Sequence, residues 1–144
     1  MFDARLTKND SGKTNLITLG MYQTAVIYPT TSALQTPGTT SSPQLFLSSI
    51  CVCVNSIFES TLEKEVVEII DLHSYIRGKY EIDEETGRRR FTTICIDTKV
   101  TVPKGVSAEK LQRLYDTAHH NCCMGDYLSS SKVKLTMNLA VFYE

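Results

Sequence analysis

An α+β fold follows from three features of this sequence: several segments whose apolar residues alternate, two segments with helical apolar patterns, and an order in which strands and helices are interleaved unevenly rather than as a regular βα repeat. The predicted order is strands, helix, two long strands, helix, strand. At 144 residues the chain fits a single domain, 1–144, with enough length to bury a core without disulfide staples.

Asn15 to Leu19 and Tyr22 to Tyr28 read as two short strands with Gly20 as a turn between them, and a weaker strand precedes them at Phe2 to Leu6. From Pro29 to Pro43 the Thr, Ser, Gly and Pro content favours a loop. Gln44 to Leu62 places Leu45, Phe46, Leu47, Ile50, Val52, Val54, Ile57, Phe58 and Leu62 on nearly every side without an internal Gly or Pro, which predicts a helix buried all round. Between Val66 and Ile82 the residues Val66, Ile70, Leu72, Ile76, Tyr80 and Ile82 share one face, and Asp71, His73, Tyr75, Arg77, Lys79 and Glu81 the other. After the charged turn DEETGRRR, Ile94, Ile96, Val100 and Val102 resume the apolar face, so the two strands form a long antiparallel hairpin. Ser107 is a natural N-cap for a helix whose stripe runs through Ala108, Leu111, Leu114, Tyr115, Ala118 and Cys122. Lys132 to Tyr143 alternates again and gives the last strand, with Val133, Leu135, Met137, Leu139, Val141 and Tyr143 on one side.

The charge balance excludes some functions. With 15 basic and 16 acidic residues and a net charge of -1, no basic field is available for a phosphate backbone, so nucleic acid is not an expected partner. The polar start MFDARLTKND has no apolar signal-peptide region and no spanning helix is expected, which points to the cytoplasm and away from a membrane. Five cysteines in that setting are expected to be reduced thiols.

Those thiols are the main chemical resource of the chain. Cys51 and Cys53 would leave a helix about 200° apart, so at most one of them serves a given pocket. His119, His120, Cys122 and Cys123 cluster near a helix end and with Cys51 or Cys53 could supply zinc ligands, but adjacent residues diverge by about 100° and the spacing is poor for a zinc knuckle, so a zinc-bound structural protein is a minor reading and no metal or cofactor is expected. The histidines read more simply as a solvated or capping pair favoured by the helix dipole. The runs Asp83–Glu85 and Arg88–Arg90 read as a solvated hairpin tip. No Gly-rich phosphate loop, nucleophile elbow or paired-carboxylate spacing is present.

The segment SPQLFLSSICVC, from Ser42 to Cys53, resembles the OsmC/Ohr family's proline-led turn, its small-residue, Leu-containing helix and the cysteine inside that helix. AEKLQRLYDTAHHNCCMGDYL, from Ala108 to Leu128, resembles the family's second helix with its cysteine, and RRRFTTICIDTKVTVP its intervening strand. The resemblance implies antiparallel sheets wrapped around a buried central helix, an intertwined homodimer, and a thiol peroxidase in which Cys53 attacks an organic hydroperoxide and Cys122 resolves the product. A sulfenic acid on the first thiol would condense with the second to a disulfide, which an external dithiol reductant reopens. Oxidative stress defence is the implied role.

Two positions depart from the family pattern. Pro43 stands where the family's active reductases carry a Glu, and Cys123 stands in place of a proline. Lys8 and Lys13 lie near the family's N-terminal arginine region, and Arg5 lies earlier. Without a paired cation a buried Cys53 has a raised pKa, and the second helix N-terminus, His119 or a partner-chain lysine would have to help it. A second function class shares the same fold: a non-catalytic dimer holding a small apolar ligand in its interface pocket, with Cys53 as lining.

Overall fold

The computed structural model describes residues 4–8, 14–19, 24–29 and 42–144. The chain forms two compact units, Met1–Phe46 and Leu47–Glu144. In the first, β1 (Ala4–Lys8), β2 (Thr14–Leu19) and β3 (Thr24–Pro29) make an antiparallel meander in that order. The three early strands are therefore present with slightly shifted ends. The Gly20 turn and residues 30–41 of the expected loop lie outside the described residues.

Helix α1 spans Ser42–Lys64. Pro43 sits in its first turn, where a missing N–H removes no helical hydrogen bond. Ile50, Val54, Phe58 and Leu62, spaced by four, form one fully buried row. The other side is open: Val52 is 64% exposed, and Ser48, Ser56 and Ser60 are exposed. The expectation of burial all round is thus met on one side only, because the remaining elements described around α1 cover a single stripe of it. α1 is also long and apolar enough, by length and composition, to cross a membrane. No spanning helix is expected from the sequence, because Ser, Asn and Glu interrupt every short apolar run. The enclosed Ile50-to-Leu62 row is what a core helix against a sheet requires.

The helix closes with paired bonds from Val66 N–H to the Glu63 carbonyl, 3.0 Å, and from Val67 N–H to the Leu62 carbonyl, 2.9 Å. This is a Schellman ending, whose left-handed residue is Val66 at φ 56°. A β-branched residue is strained there. Val66 is 92% exposed and belongs to the helix terminus rather than to the apolar strand face expected for it, and Ile70, just before the strand, is 43% exposed.

Strand β4 (Asp71–Ile82) pairs antiparallel with β5 (Arg89–Val102) as the expected hairpin. At its tip the Asp83 carboxylate accepts from Glu85 N–H at 3.1 Å and Thr86 N–H at 2.9 Å, while Gly87 supplies a φ of 66°. The hairpin's inner face carries Leu72, Ser74 and Ile76 opposite the buried Ile94, Ile96, Thr98, Val100 and Val102. Helix α2 (Ala108–Asn121) starts at the predicted cap, with the Ser107 hydroxyl accepting from Lys110 N–H at 3.3 Å. Leu111, Tyr115, Ala118 and Cys122 are fully buried along its stripe, whereas Ala108 is exposed. A short helix not expected as a separate element, α3 (Cys123–Ser130), follows.

Strand β6 (Lys134–Tyr143) lies beside β5 in parallel. The expected antiparallel pairing holds for β1–β3 and for the hairpin, but α2 and α3 carry the chain back to the starting end of β5, so the last pairing must be parallel. α1, the inner sheet face and the α2 stripe share one core, centred on an edge-to-face contact of Phe58 and Tyr115 at 5.1 Å.

Candidate thiol site

Cys51 and Cys53 reach different partners, as their helical offset requires. Cys51 hydrogen-bonds with the Ser74 hydroxyl on β4. Ser74 also donates to Asn55 Oδ1 at 2.9 Å and shares a hydrogen bond with Thr98 at 2.9 Å; Thr98 in turn meets the Tyr115 hydroxyl at 2.7 Å. This chain of polar groups crosses the core from α1 through the sheet to α2. Burial pushes the Cys51 thiol up in pKa, against the lowering effect of Ser74, and burial likewise lifts Tyr115 to about 12.

Cys53 points the other way, toward the α2–α3 junction. Its thiol is in hydrogen-bonding contact with the side chains of Cys122 and Cys123 and with the backbone N–H of Met124. The junction exists because Cys122 leaves helical geometry, at φ -78° and ψ 120°, and serves as both the C-cap of α2 and the N-cap of α3. Its N–H donates back to the His119 carbonyl at 3.2 Å and its own carbonyl accepts from Asp126 N–H at 3.0 Å. Cys122 is fully buried and Cys123 is exposed.

The approach of α3 to the last turn of α2 requires Gly125. A β-carbon there would lie 2.6 Å from the His119 carbonyl oxygen and 2.8 Å from its Nδ1. This contact also changes the reading of the histidines. His119 is half-buried with Nδ1 enclosed and unpartnered, and burial, then the neighbouring His120, hold its pKa below the usual histidine range against Asp116. Only His120 behaves as a solvated terminal residue, its Nδ1 lying 2.8 Å from the Asp116 carbonyl.

The Cys53 pKa is raised. Burial is the main cause and the Cys122 thiol adds to it, while Met124 N–H and the Cys123 thiol act in the opposite direction. Among the described residues, the groups acting most strongly on this thiol include no cation. The donor on Cys53 is thus the start of α3, not that of α2. The signal for α3 was present in the sequence as the Met124–Leu128 apolar pair with Asp126 in the first turn.

The other flagged residues lie apart from this junction or carry no described side-chain geometry. Cys95 is on the outer face of the sheet, with Arg77 Nη2 at 3.6 Å and Asn138 Nδ2 at 3.7 Å from its sulfur. Arg77 also pairs with Asp97 at 2.9 Å. Pro43 is in the first turn of α1, Arg5 and Lys8 are on β1, and Lys13 is outside the described residues. Among the described residues no three His, Cys, Asp or Glu side chains form a group that could hold a metal ion.

Comparison with known proteins agrees with this architecture. No curated protein matches the sequence. Among solved structures, an OsmC-like protein from Mycoplasma pneumoniae superposes with a TM-score of 0.83 at 13% identity, covering 99% of this chain and 97% of that one. The organic hydroperoxide resistance protein OhrB of Bacillus subtilis gives 0.67 at 20% identity, covering 97% and 98%. An organic hydroperoxide resistance protein OsmC from Legionella pneumophila gives 0.73 at 14% identity, covering 98% and 97%. These likenesses show the shared α+β fold. The family model for OsmC-like proteins matches residues 35–138, more than half of the chain and every element from α1 through the first half of β6, and so the chain belongs to the OsmC-like family.

Proposed function

We propose that the protein reduces organic hydroperoxides with Cys53 as the attacking thiol and Cys122 as the resolving thiol, in oxidative stress defence. The observation that carries this reading is the contact between the Cys53 and Cys122 side chains, brought together from α1 and the α2–α3 junction. Family membership and the structural likeness to proteins named for organic hydroperoxide resistance support it. The Cys53 thiolate attacks the terminal peroxide oxygen and the O–O bond breaks; the alkoxide takes a proton and leaves as alcohol, and Cys53 becomes a sulfenic acid. Cys122 then attacks that sulfur, releasing water and forming a disulfide, which an external dithiol returns to two thiols.

A homodimer in the cytoplasm belongs to the same proposal. Val52 on α1 is 64% exposed, and Tyr80 and Ile82 at the end of the hairpin are 47% and 59% exposed, apolar surface that a second copy would cover. Light scattering that finds a stable monomer at micromolar concentration would remove the dimer.

A second reading, a non-catalytic module holding a small apolar ligand, is favoured by one observation: burial raises the Cys53 pKa, which makes the thiol a weaker nucleophile at neutral pH. Stopped-flow measurement of thiol loss separates the two. The peroxidase reading expects rapid loss with cumene hydroperoxide and slower loss with hydrogen peroxide. Thiols that survive both would leave the binding module.

A further inference from the structure

Cys122 is the natural partner for an oxidised Cys53 but a poor exit for the oxidising equivalents. Its side chain is completely enclosed. A thiolate that opens a disulfide must approach the attacked sulfur along the S–S axis, so reduction depends on access as much as on potential. Cys53 is partly accessible, yet its thiol is flanked by the start of α3 and by the Cys123 side chain. Cys123 is the exposed cysteine of the three, the first residue of α3, and it touches the sulfur that would be in the disulfide.

We propose that Cys123 is a third catalytic thiol, a relay that moves the disulfide from the enclosed Cys53–Cys122 pair to an accessible Cys53–Cys123 pair for reduction. The Cys123 thiolate attacks the Cys53 sulfur, the Cys53–Cys122 bond breaks, and Cys122 leaves as a thiolate that takes up the proton lost by Cys123. The external dithiol then attacks the Cys123 sulfur, freeing Cys53 as a thiol. The dithiol's second sulfur closes on its first and releases Cys123, so each cycle oxidises one dithiol and reduces one peroxide to alcohol and water.

Attack by Cys123 on the Cys122 sulfur is the disfavoured alternative. Neighbouring α-carbons are about 3.8 Å apart, below the span of about 4.4–6.8 Å that a relaxed disulfide requires. The exchange is thereby directed to Cys53.

As a step of the peroxidase cycle the relay rests on the reading above, and the test separates them. Wild-type protein, Cys123→Ser and Cys123→Ala are reduced, checked for native circular dichroism, and given one equivalent of cumene hydroperoxide. The oxidised proteins are then reopened with dithiothreitol while free thiols are followed. All three are expected to consume the first equivalent, the variants more slowly to the extent that Cys123 lowers the Cys53 pKa, and the two variants, once oxidised, to reopen more slowly by about ten-fold or more. Brief treatment of the oxidised wild type with glutathione, followed by peptide mapping, is expected to place the mixed disulfide on Cys123. Normal peroxide consumption with unchanged reopening, or glutathione found on Cys122, overturns the relay alone. A wild-type chain that ignores the peroxide overturns both the relay and the peroxidase reading.

Discussion

Cys51 and Cys53 are two residues apart on one helix, yet their surroundings differ in kind. Cys51 joins a line of hydroxyl and amide groups from Asn55 through Ser74 and Thr98 to Tyr115, each satisfied by the next. Cys53 meets two other thiols and the N–H of a helix start. Both have raised pKa values, and burial is the leading cause for each. Burial therefore does not set the two thiols apart; the chemistry of their neighbours does. A hydroxyl network can hold a helix in register, whereas a second sulfur can receive oxidation.

The sharpest way to break this comparison is to remove each thiol in turn. Cys53→Ser is expected to abolish peroxide turnover and Cys51→Ser to leave most of it, measured with cumene hydroperoxide and a dithiol. Non-reducing peptide mapping at the first oxidation step is expected to give a Cys53–Cys122 link with Cys95 still free. Loss of turnover on replacing Cys51 would reverse the assignment.

A pH series is the next largest effect. Because the folded Cys53 pKa lies above its ordinary value, its thiolate is a minor species at neutral pH and grows as pH rises. The rate of peroxide-dependent thiol loss should climb about ten-fold per pH unit from neutrality toward that pKa. A plateau already at neutral pH would mean that a cation, supplied from beyond the described residues, faces Cys53.

Gly125→Ala tests the junction itself. Its β-carbon would meet the His119 carbonyl oxygen at 2.6 Å, so backbone must move. A loss of about 1–3 kcal/mol in denaturant unfolding is expected, with slower disulfide formation as Cys122 shifts away from Cys53. Unchanged disulfide formation in a folded variant would detach the α2–α3 contact from the chemistry.

The smallest expected effect lies on the Cys51 side. Tyr115→Phe removes one hydroxyl while Thr98 keeps its bond to Ser74, so stability should fall by about 1 kcal/mol and peroxide consumption should not change. The sign of its pH dependence follows from linkage. Tyr115 has its pKa raised from 10.0 to about 12, so above pH 10.0 the unfolded chain loses this proton first and stability falls until the folded pKa is passed. The variant should lose part of that alkaline decline in pH-dependent unfolding; an identical decline would assign it to other tyrosines.

Much of this architecture was determined by the sequence alone, because period and cap chemistry are local. Alternation fixed the faces of β4, β5 and β6, Ser107 marked the start of α2, and the helical offset of Cys51 from Cys53 required different partners. The stripe through Leu111, Tyr115 and Ala118 also places Cys122 inward, where it is fully buried. The tertiary structure alone decided three things. One side of α1 stays exposed, since periodicity says which residues are apolar but not how much neighbouring surface is available to cover them. β6 is parallel to β5, since strand direction depends on where two intervening helices return the chain. And Cys53 meets Cys122, Cys123 and Met124 N–H together, because a break at Cys122 and the close approach at Gly125 turn a second helix toward a residue some seventy positions earlier, a distance over which local pattern carries no information.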